Sequence, residues 1–329
     1  MLVAALEEEW ENQTSVTEFI LLGFGDVQEL QVLLFLVFLL VYIITMAGNI
    51  LIIALITVNH QLHTPMYFFL GNLSCLETCY SSNILPKILA TFITGGGTIS
   101  VWGCITQLYV FAALVVTECC LLAVMSYDRY LAICKPLHYS MIMKEKLCFT
   151  LVLGSWVNGF LSMFVILYLL SRLTFCGPNE IDHVFCDFTP ILRITCSETH
   201  VIEWVSLILS SLSTLPPFMF TMNSYIFIIS TILKIPSTTG RKKAFSTCSS
   251  HLIVVTIFYG TLIIVYVLPK NKLLRTLYKV LSLLYTAFTP LVNPMIYSLR
   301  NKEVKEALKK SVQKIDLFHK TPESSSKRF

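Results

Sequence analysis

An acidic and a basic residue stand side by side near the end of a long apolar segment of this chain. Asp128 and Arg129 lie in the run Met125–Cys134, and the apolar segment begins near Cys104. Ionisable side chains at the end of a membrane helix are costly unless they are paired or reach water. We therefore expect Asp128 and Arg129 to hold each other, and breaking that pair would free Arg129 to bind a new partner. This chemistry is typical of a conformational switch at a membrane face.

Two further carboxylates lie inside long apolar segments. They are Glu77 and Glu118, and Asn293 is a polar candidate for the same region. An ionisable residue within a membrane is a functional-site hypothesis by default. Two interpretations stay open. The three side chains form a polar or cation site, or one protonated carboxyl group is hydrogen-bonded to its neighbour, because burial favours the uncharged form.

The elements that position these groups are expected to be membrane-spanning helices. The 329 residues are 55% hydrophobic and only 13% charged, with a mean hydropathy of +0.71, whereas a soluble domain carries about 25% charged residues. Apolar runs of about 20 residues mark membrane helices. The sequence contains seven such runs, at residues 31–58, 65–93, 103–129, 147–170, 203–233, 243–268 and 276–299.

The basic residues predict an orientation in the membrane. Lysine and arginine are concentrated between the third and fourth runs, between the fifth and sixth, and after the seventh, whereas residues 1–30 contain neither. The positive-inside rule then places those three segments in the cytoplasm and the N-terminus outside. The segment between the sixth and seventh runs, together with the start of the seventh run, disagrees, because it carries four basic residues, Lys270, Lys272, Arg275 and Lys279.

This orientation defines three regions: an extracellular N-terminus (1–30), a seven-helix bundle (31–299), and a cytoplasmic helix and tail (300–329). Asn12 begins an Asn-Gln-Thr glycosylation acceptor on the predicted outer side. The net charge of +4 is attributed to contacts with inner-leaflet lipid rather than to nucleic-acid binding.

Several strings of the sequence resemble the signatures of olfactory receptors, a branch of the rhodopsin-like G-protein-coupled receptors. They are Met125–Cys134, Pro65–Leu70, Lys243–His251 and Pro290–Asn301, and the resemblance covers roughly residues 48 to 301. One departure is Glu77, where these receptors more often have aspartate. The resemblance implies an all-α membrane protein, a seven-transmembrane helix bundle of the rhodopsin-like type.

A short amphipathic eighth helix is predicted after the seventh run. Val304, Leu308 and Val312 are four residues apart in the segment Lys302–Lys314, and lysines occupy its other faces. Such a helix lies on the inner leaflet of a membrane.

The resemblance also implies a function. An odorant receptor at the plasma membrane binds a small volatile molecule within the bundle and activates a stimulatory heterotrimeric G protein, which raises cAMP. Whether a trafficking chaperone is needed stays open. The residues implied in G-protein coupling and switching are Asp128, Arg129, Tyr130, Tyr225, Asn293, Pro294 and Tyr297.

Two of these residues carry further expectations. Pro294 removes one helical hydrogen bond, and in a membrane a neighbour must satisfy the carbonyl that is left over. Asn293 is expected to do so. In the wider receptor class a sodium ion binds between the second and seventh helices, so sodium is the candidate cation for Glu77, Glu118 and Asn293. No other cofactor is expected.

The family pattern and helical spacing predict a ligand pocket in the outer half of the bundle. No carboxylate lies near Phe111, where amine receptors of the wider class carry an aspartate. A small neutral molecule is therefore expected, in a mostly apolar pocket with a few hydroxyl groups. Its predicted lining is Phe111, Ala112, Val115, Val116, Leu209, Ser210, Ser213, Tyr259, Leu262, Ile263, Tyr266, Leu283 and Thr286.

Four cysteines lie on the predicted outer side, where disulfides are permitted. They are Cys104, Cys176, Cys186 and Cys196. The residues alone leave three connectivities open. The resemblance implies that Cys104 pairs with Cys186 and that Cys176 pairs with Cys196.

Other classes of protein fit the sequence less well. There is no GxSxG, HExxH or Walker motif, so an enzyme is not expected. A transporter would show matching repeats in its two halves, and we see none. His183 near Cys186 and Asp187 leaves open a receptor in which a metal assists ligand binding, although a disulfide at Cys186 would remove the thiolate. A receptor for a non-odorant ligand in another tissue also stays open.

Overall fold

The structure, a computed structural model, describes residues 16–23, 28–94, 96–176, 178–267, 275–300, 303–310 and 313. Seven long helices and two short ones follow one another along these residues. They are α1 (Gln28–Val58), α2 (Pro65–Thr94), α3 (Val101–Cys134), α4 (Pro136–Ile142), α5 (Glu145–Leu170), α6 (Phe188–Leu192), α7 (His200–Lys234), α8 (Thr238–Val267) and α9 (Arg275–Arg300). Each predicted apolar run lies over one of the long helices, and the prediction of seven helices is confirmed.

Length and composition identify some of these helices as membrane spans by themselves. Among the described residues, α1, α3, α5 and α7 are long and apolar enough, and α8 would be a fifth despite a bend of 43° between Ser246 and Cys248. Two long helices outside this set, α2 and α9, carry buried polar side chains such as Glu77 and Asn293. Polar residues of membrane helices face the bundle interior. We therefore attribute the polar side chains of α2 and α9 to the surfaces of these helices that face the interior.

The third long helix, α3, is the centre of the bundle. It packs against α2, α5, α7 and α8. Ser100 caps its first turn, since the serine hydroxyl accepts a hydrogen bond from the backbone N–H of Gly103 at 3.0 Å. Close approach of α5 requires Gly159, where a Cβ would overlap Thr117. A single rigid helix therefore connects Cys104 at one end of the molecule with Arg129 near the other.

A small three-stranded sheet covers one end of the bundle, which the sequence analysis did not predict. Strand β1 (Glu18–Leu21) pairs antiparallel with β2 (Gly97–Ser100) and parallel with β3 (Glu180–Ile181). Phe19 and Leu21 are fully buried beneath it. Strands of two to four residues give too little alternation to be recognised in a sequence. We call this sheet and the loop between α5 and α7 the lid, and the opposite end of the bundle the switch end.

Candidate functional site

The predicted acid–base pair is present at the switch end. Arg129 Nε donates a hydrogen bond to Asp128 Oδ2 at 3.0 Å, and Arg129 Nη2 donates to the same oxygen. Asp128 Oδ1 accepts a hydrogen bond from Tyr139 Oη of α4 at 2.8 Å. Asp128 and Arg129 are 0% and 7% exposed. Breaking a buried charge pair is expensive, so Arg129 is held until another acceptor replaces Asp128.

The Tyr139 hydroxyl stays protonated and can therefore keep donating its hydrogen bond to Asp128. Tyr139 is half-buried, and burial together with the Asp128 charge raises the pKa of its hydroxyl above the ordinary value. The hydroxyl therefore keeps its proton at physiological pH. Tyr139 was not assigned a role from the sequence, because a connecting helix of seven residues gives no sign of which helix end it contacts.

Tyr225 of α7 contacts a residue that the sequence analysis left without a role. Its hydroxyl is hydrogen-bonded to His251 Nδ1 of α8 at 2.6 Å, and both side chains are buried. Tyr130 of α3 packs against the same group of side chains, with its ring 6.1 Å from that of Phe227. The Tyr225–His251 bond ties α7 to α8 at the switch end. The side chain of Tyr297 lies outside the described residues.

The expectation for Asn293 is wrong in one respect. The carbonyl that Pro294 leaves without a helical donor belongs to Pro290, and the side-chain amide of Asn49 in α1 donates to it at 3.4 Å. Gly48 allows this approach, because a Cβ there would lie 3.2 Å from the Pro294 Cβ. Asn293 instead donates from Nδ2 to Glu77 Oε1. Asn293 was preferred only because it is next to Pro294 in the sequence.

The intramembrane carboxylates lie together in the bundle interior. Glu77, Glu118 and Asn293 are 0%, 1% and 3% exposed, and the charges of Glu77 and Glu118 are close enough to interact. Within the described residues, Glu77 Oε2 and Glu118 Oε1 have no hydrogen-bond partner. Buried oxygens of this kind need a cation or a proton. The two carboxylates offer oxygen ligands, the type that hard cations prefer.

The predicted pocket residues differ in where their side chains lie. Phe111, Val115, Tyr259, Leu262 and Leu283 belong to the main core of the bundle or pack against it. Ala112, Val116 and Leu209 belong to or pack against a second core beneath the lid, and Ser213 and Thr286 are also buried. Ser210 and Ile263 are exposed, so these two do not face the interior as expected. The side chain of Tyr266 lies outside the described residues.

An aromatic side chain of the lid reaches the predicted pocket. Phe185 is buried, and its ring centroid lies 5.7 Å from that of Phe111, which is 5.3 Å from Tyr80. Gln107 fixes the neighbouring backbone, because its Oε1 accepts a hydrogen bond from the Cys186 N–H at 3.1 Å. Sequence reasoning missed Phe185, since a loop residue has no helical spacing to count.

Both implied disulfides are present in the lid. Cys104 is bonded to Cys186 and Cys176 to Cys196, with Cα–Cα distances of 5.4 and 5.9 Å. The first bond ties the loop to the start of α3, and the second closes the loop on itself. Disulfides restrict the unfolded chain, typically by a few kcal/mol each.

The basic residue that opposed the predicted orientation has a structural explanation. Lys279 of α9 is buried, pairs with Asp182 of the lid, and donates a hydrogen bond to the carbonyl of Gly23 at 3.1 Å. Lys279 therefore has a structural role in holding the lid to α9. Lys270 and Lys272 lie outside the described residues.

The hypothesis of metal-assisted ligand binding needs available ligands around His183, and two of the three candidates are engaged in other contacts. Cys186 is in a disulfide, and the Asp187 carboxylate caps α6 by accepting from the Phe188 N–H at 2.8 Å. Within the described residues, no group of three His, Cys, Asp or Glu side chains could hold a metal ion. His183 is buried, with Nδ1 3.1 Å from the Phe185 carbonyl, and burial lowers its pKa below the usual value.

The described part of the predicted eighth helix, residues 303–310, packs against the bundle. Val304 is buried and Leu308 contacts the main core, whereas Val312 lies outside the described residues. Tyr67 Oη donates to Glu303 Oε2 at 2.6 Å, and Lys310 Nζ donates to Gln61 Oε1 at 3.0 Å. These contacts hold the segment against the start of α2.

The bundle has long helices, a lid over one end and a paired arginine at the opposite end. This arrangement places the protein in the rhodopsin-like class of G-protein-coupled receptors. A sequence model described as olfactory receptor matches residues 38–314. Human olfactory receptor 6B1 is 51% identical over 92% of this chain and 96% of its own length, and human olfactory receptor 11L1 is 48% identical over 92% and 94%. Mouse olfactory receptor 6B9 is 47% identical over 92% and 96%. The chain belongs to the olfactory receptor family.

Family membership establishes the general function. The protein is a multi-pass receptor of the plasma membrane that senses odorants and couples to G proteins, and it is not an enzyme.

Proposed function

We propose that this receptor binds a small, neutral, volatile molecule in the half of the bundle beneath the lid, and that binding activates a stimulatory G protein and raises cAMP. One arrangement carries the proposal. Helix α3 bears Phe111 in a buried aromatic group at one end and the Asp128–Arg129 pair at the other. A ligand that shifts α3 relative to α8 would act on both the pocket and the pair.

The chemistry of the pocket supports a neutral ligand. Of the predicted lining residues that are buried, the polar ones contribute hydroxyl groups, as Ser213, Tyr259 and Thr286 do. The Thr286 hydroxyl already donates within its own helix, whereas the Tyr259 hydroxyl reaches the carbonyl of Cys119 across to α3 at 3.5 Å. A ligand that competes for the Tyr259 hydroxyl would loosen α8 from α3.

The test is a cAMP assay of cells that express the receptor with a stimulatory G protein, against a panel of volatile odorants. Phe111→Ala should lower sensitivity to an active odorant at least about tenfold, since truncating a buried aromatic removes several kcal/mol of contacts. Phe149→Ala, on the exposed surface of α5, is the matched control and should respond normally. Equal responses of both variants at matched surface level would place the ligand elsewhere.

We infer that the lid faces the outside of the cell. Both disulfides lie in the lid, which fits an oxidising compartment, and exposed cations such as Lys135 and Arg241 lie at the switch end, which fits the positive-inside rule. Asn12, outside the described residues, should then carry a glycan. Asn12→Gln should remove a glycosidase-sensitive mass from the receptor, and an unchanged mass would contradict the orientation.

We further propose that a sodium ion binds between Glu77 and Glu118, with Asn293 orienting the Glu77 carboxylate. The two unpartnered carboxylate oxygens support this. Glu77→Gln and Glu118→Gln should each abolish the dependence of basal signalling on sodium concentration. If both variants signal normally with unchanged sodium dependence, the buried carboxyl group is simply protonated.

One further partner completes the proposal. Helix 303–310 should lie on inner-leaflet lipid, because Lys305 and Lys309 are exposed while Val304 faces the core. Whether delivery to the surface needs a trafficking chaperone is a separate question that antibody labelling of intact cells answers. Equal surface levels with and without a coexpressed chaperone would show that none is needed.

A further inference from the structure

A groove of about 480 Å³ lies between α7 and α8 at the switch end. Its lining combines two kinds of side chain. Ile229, Leu233 and Phe245 supply an apolar wall, and Arg241 and Lys242 supply two positive charges. No residue proposed above for odorant binding or for the switch lines this groove.

The groove opens away from the interior of the bundle. Leu233 and Phe245 are 64% and 54% exposed. Tyr225 and Ile228 of α7 are buried against Tyr130 and its surroundings, whereas Ile232, also buried, contributes to the lining of the groove. The two sides of α7 therefore differ, and the groove lies on the side that membrane lipid covers.

Within the described part of the chain, the two cations of the groove have no carboxylate partner. The sequence contains no Asp or Glu between Glu203 and Glu303, and in the described residues neither Arg241 nor Lys242 belongs to an ion pair. The guanidinium of Arg241 donates from Nη2 to the carbonyl of Ile235 at 3.2 Å, which places it at the end of α7. Both cations are therefore available to an anion from outside the chain.

The order of apolar and charged residues along α7 matches the order of acyl chain and headgroup in a membrane lipid. The exposed apolar surface ends at Leu233, and Lys234 follows as the last residue of the helix. A molecule lying along the groove would thus have an apolar part beside Ile229 and Phe245 and a negatively charged part beside Arg241.

We propose that this groove binds one anionic phospholipid, whose phosphate meets Arg241 and Lys242 and whose acyl chain lies along Leu233 and Phe245. The proposal rests on the orientation inferred above, which places the switch end at the inner leaflet, where anionic lipids concentrate. It does not depend on the odorant or on the type of G protein. A soluble phosphate would leave the apolar wall uncovered.

Native mass spectrometry of the purified full-length receptor tests the site, with dioleoyl phosphatidylserine as the probe and dioleoyl phosphatidylcholine as the neutral comparison. The double variant Arg241→Gln, Lys242→Gln should bind phosphatidylserine at least about tenfold more weakly, since each cation near an anionic headgroup contributes about 1 kcal/mol. The double variant Arg172→Gln, Arg193→Gln makes the same charge change on exposed residues of the lid, at the opposite end of the bundle, and should bind within about twofold of the unaltered receptor.

Filling the groove provides a second variant that changes no charge. Leu233→Trp should reduce the phosphatidylserine adduct, because the indole occupies the space of the acyl chain. Equal losses in the two charge variants would show a non-specific charge effect and overturn the site. So would unchanged binding in Leu233→Trp, or competition by soluble glycerophosphoserine as strong as that by the lipid. These results are independent of signalling, so they differ from a failure of the proposed odorant response.

Discussion

The side-chain amide of Asn49 in α1 donates to the backbone carbonyl of Pro290 in α9, 241 residues away in the sequence. That carbonyl would have bonded to the backbone N–H of residue 294, which is proline and has none. A carbonyl left unsatisfied in a membrane costs free energy that neighbouring helices must offset. The contact therefore allows α9 to carry Pro294 close to the buried Glu77–Asn293 pair.

Asn49→Ala should lower the stability of the receptor by about 1 kcal/mol, because it leaves a buried carbonyl without a donor. The double-mutant cycle with Pro294→Ala isolates the effect, since alanine restores the backbone donor. Thermal unfolding of the purified receptor is the measurement. Asn49→Ala should cost clearly less in the Pro294→Ala background, and an equal cost in both backgrounds would contradict the account.

Gly48 should tolerate substitution worse than another helical glycine. A Cβ at Gly48 meets the Pro294 ring at 3.2 Å, whereas a Cβ at Gly154 in α5 meets nothing within 4 Å. Gly48→Val should lower the melting temperature by several degrees, since overpacking typically costs about 1–3 kcal/mol. Gly154→Val is the matched control and should change it little. Similar losses at both positions would show that helix propensity, rather than the approach of α1 to α9, sets the cost.

Tyr139→Phe should raise signalling without ligand. The phenol holds Asp128 in the orientation that pairs with Arg129, so its loss destabilises the resting arrangement. A change of about 1 kcal/mol in the free-energy difference between the resting and active states would raise the active population about fivefold, as long as that population is small. Basal cAMP at matched surface level is the readout. Tyr127→Phe is the control, because Tyr127 of α3 packs against Phe220 of α7 and has no side-chain hydrogen bond in the described residues. A basal level no higher than that of Tyr127→Phe would argue against the role.

The lid should lose stability as the pH falls. Burial lowers the pKa of His183 below its ordinary value of 6.5, so an opened lid binds a proton that the closed lid does not. Linkage then favours opening as the pH drops from about 7.5 towards about 5.5. His183→Asn should reduce the fall in melting temperature over this range. Identical pH dependence in both proteins would contradict this role of His183.

The features that depend on residues close together in the sequence could be predicted from it. Asp128 and Arg129 are adjacent, so their pairing needed only a helix end, and the seven helices followed from long apolar runs. The partners of Asn49, Tyr225 and Asn293 lie on other helices, and local spacing could not identify them. These contacts depend on how the helices pack.

The predicted pocket lining also failed where two consecutive residues were both placed inward. Ser210 was placed inward together with Leu209, and Ile263 together with Leu262. Consecutive residues on a helix point about 100° apart, so one member of each pair faces away from the interior. Phe185 was missed because its position depends on the Cys104–Cys186 disulfide.

The central claim is that release of Arg129 from Asp128 passes the ligand signal to a G protein. The most direct test is nucleotide exchange by a purified stimulatory G protein in lipid vesicles containing the receptor and an active odorant. We expect the odorant to accelerate exchange with the unaltered receptor and with Arg193→Gln, an exposed arginine of the lid. We expect no acceleration with Arg129→Gln at equal folded receptor. Odorant-dependent exchange by Arg129→Gln at the normal rate would contradict the claim.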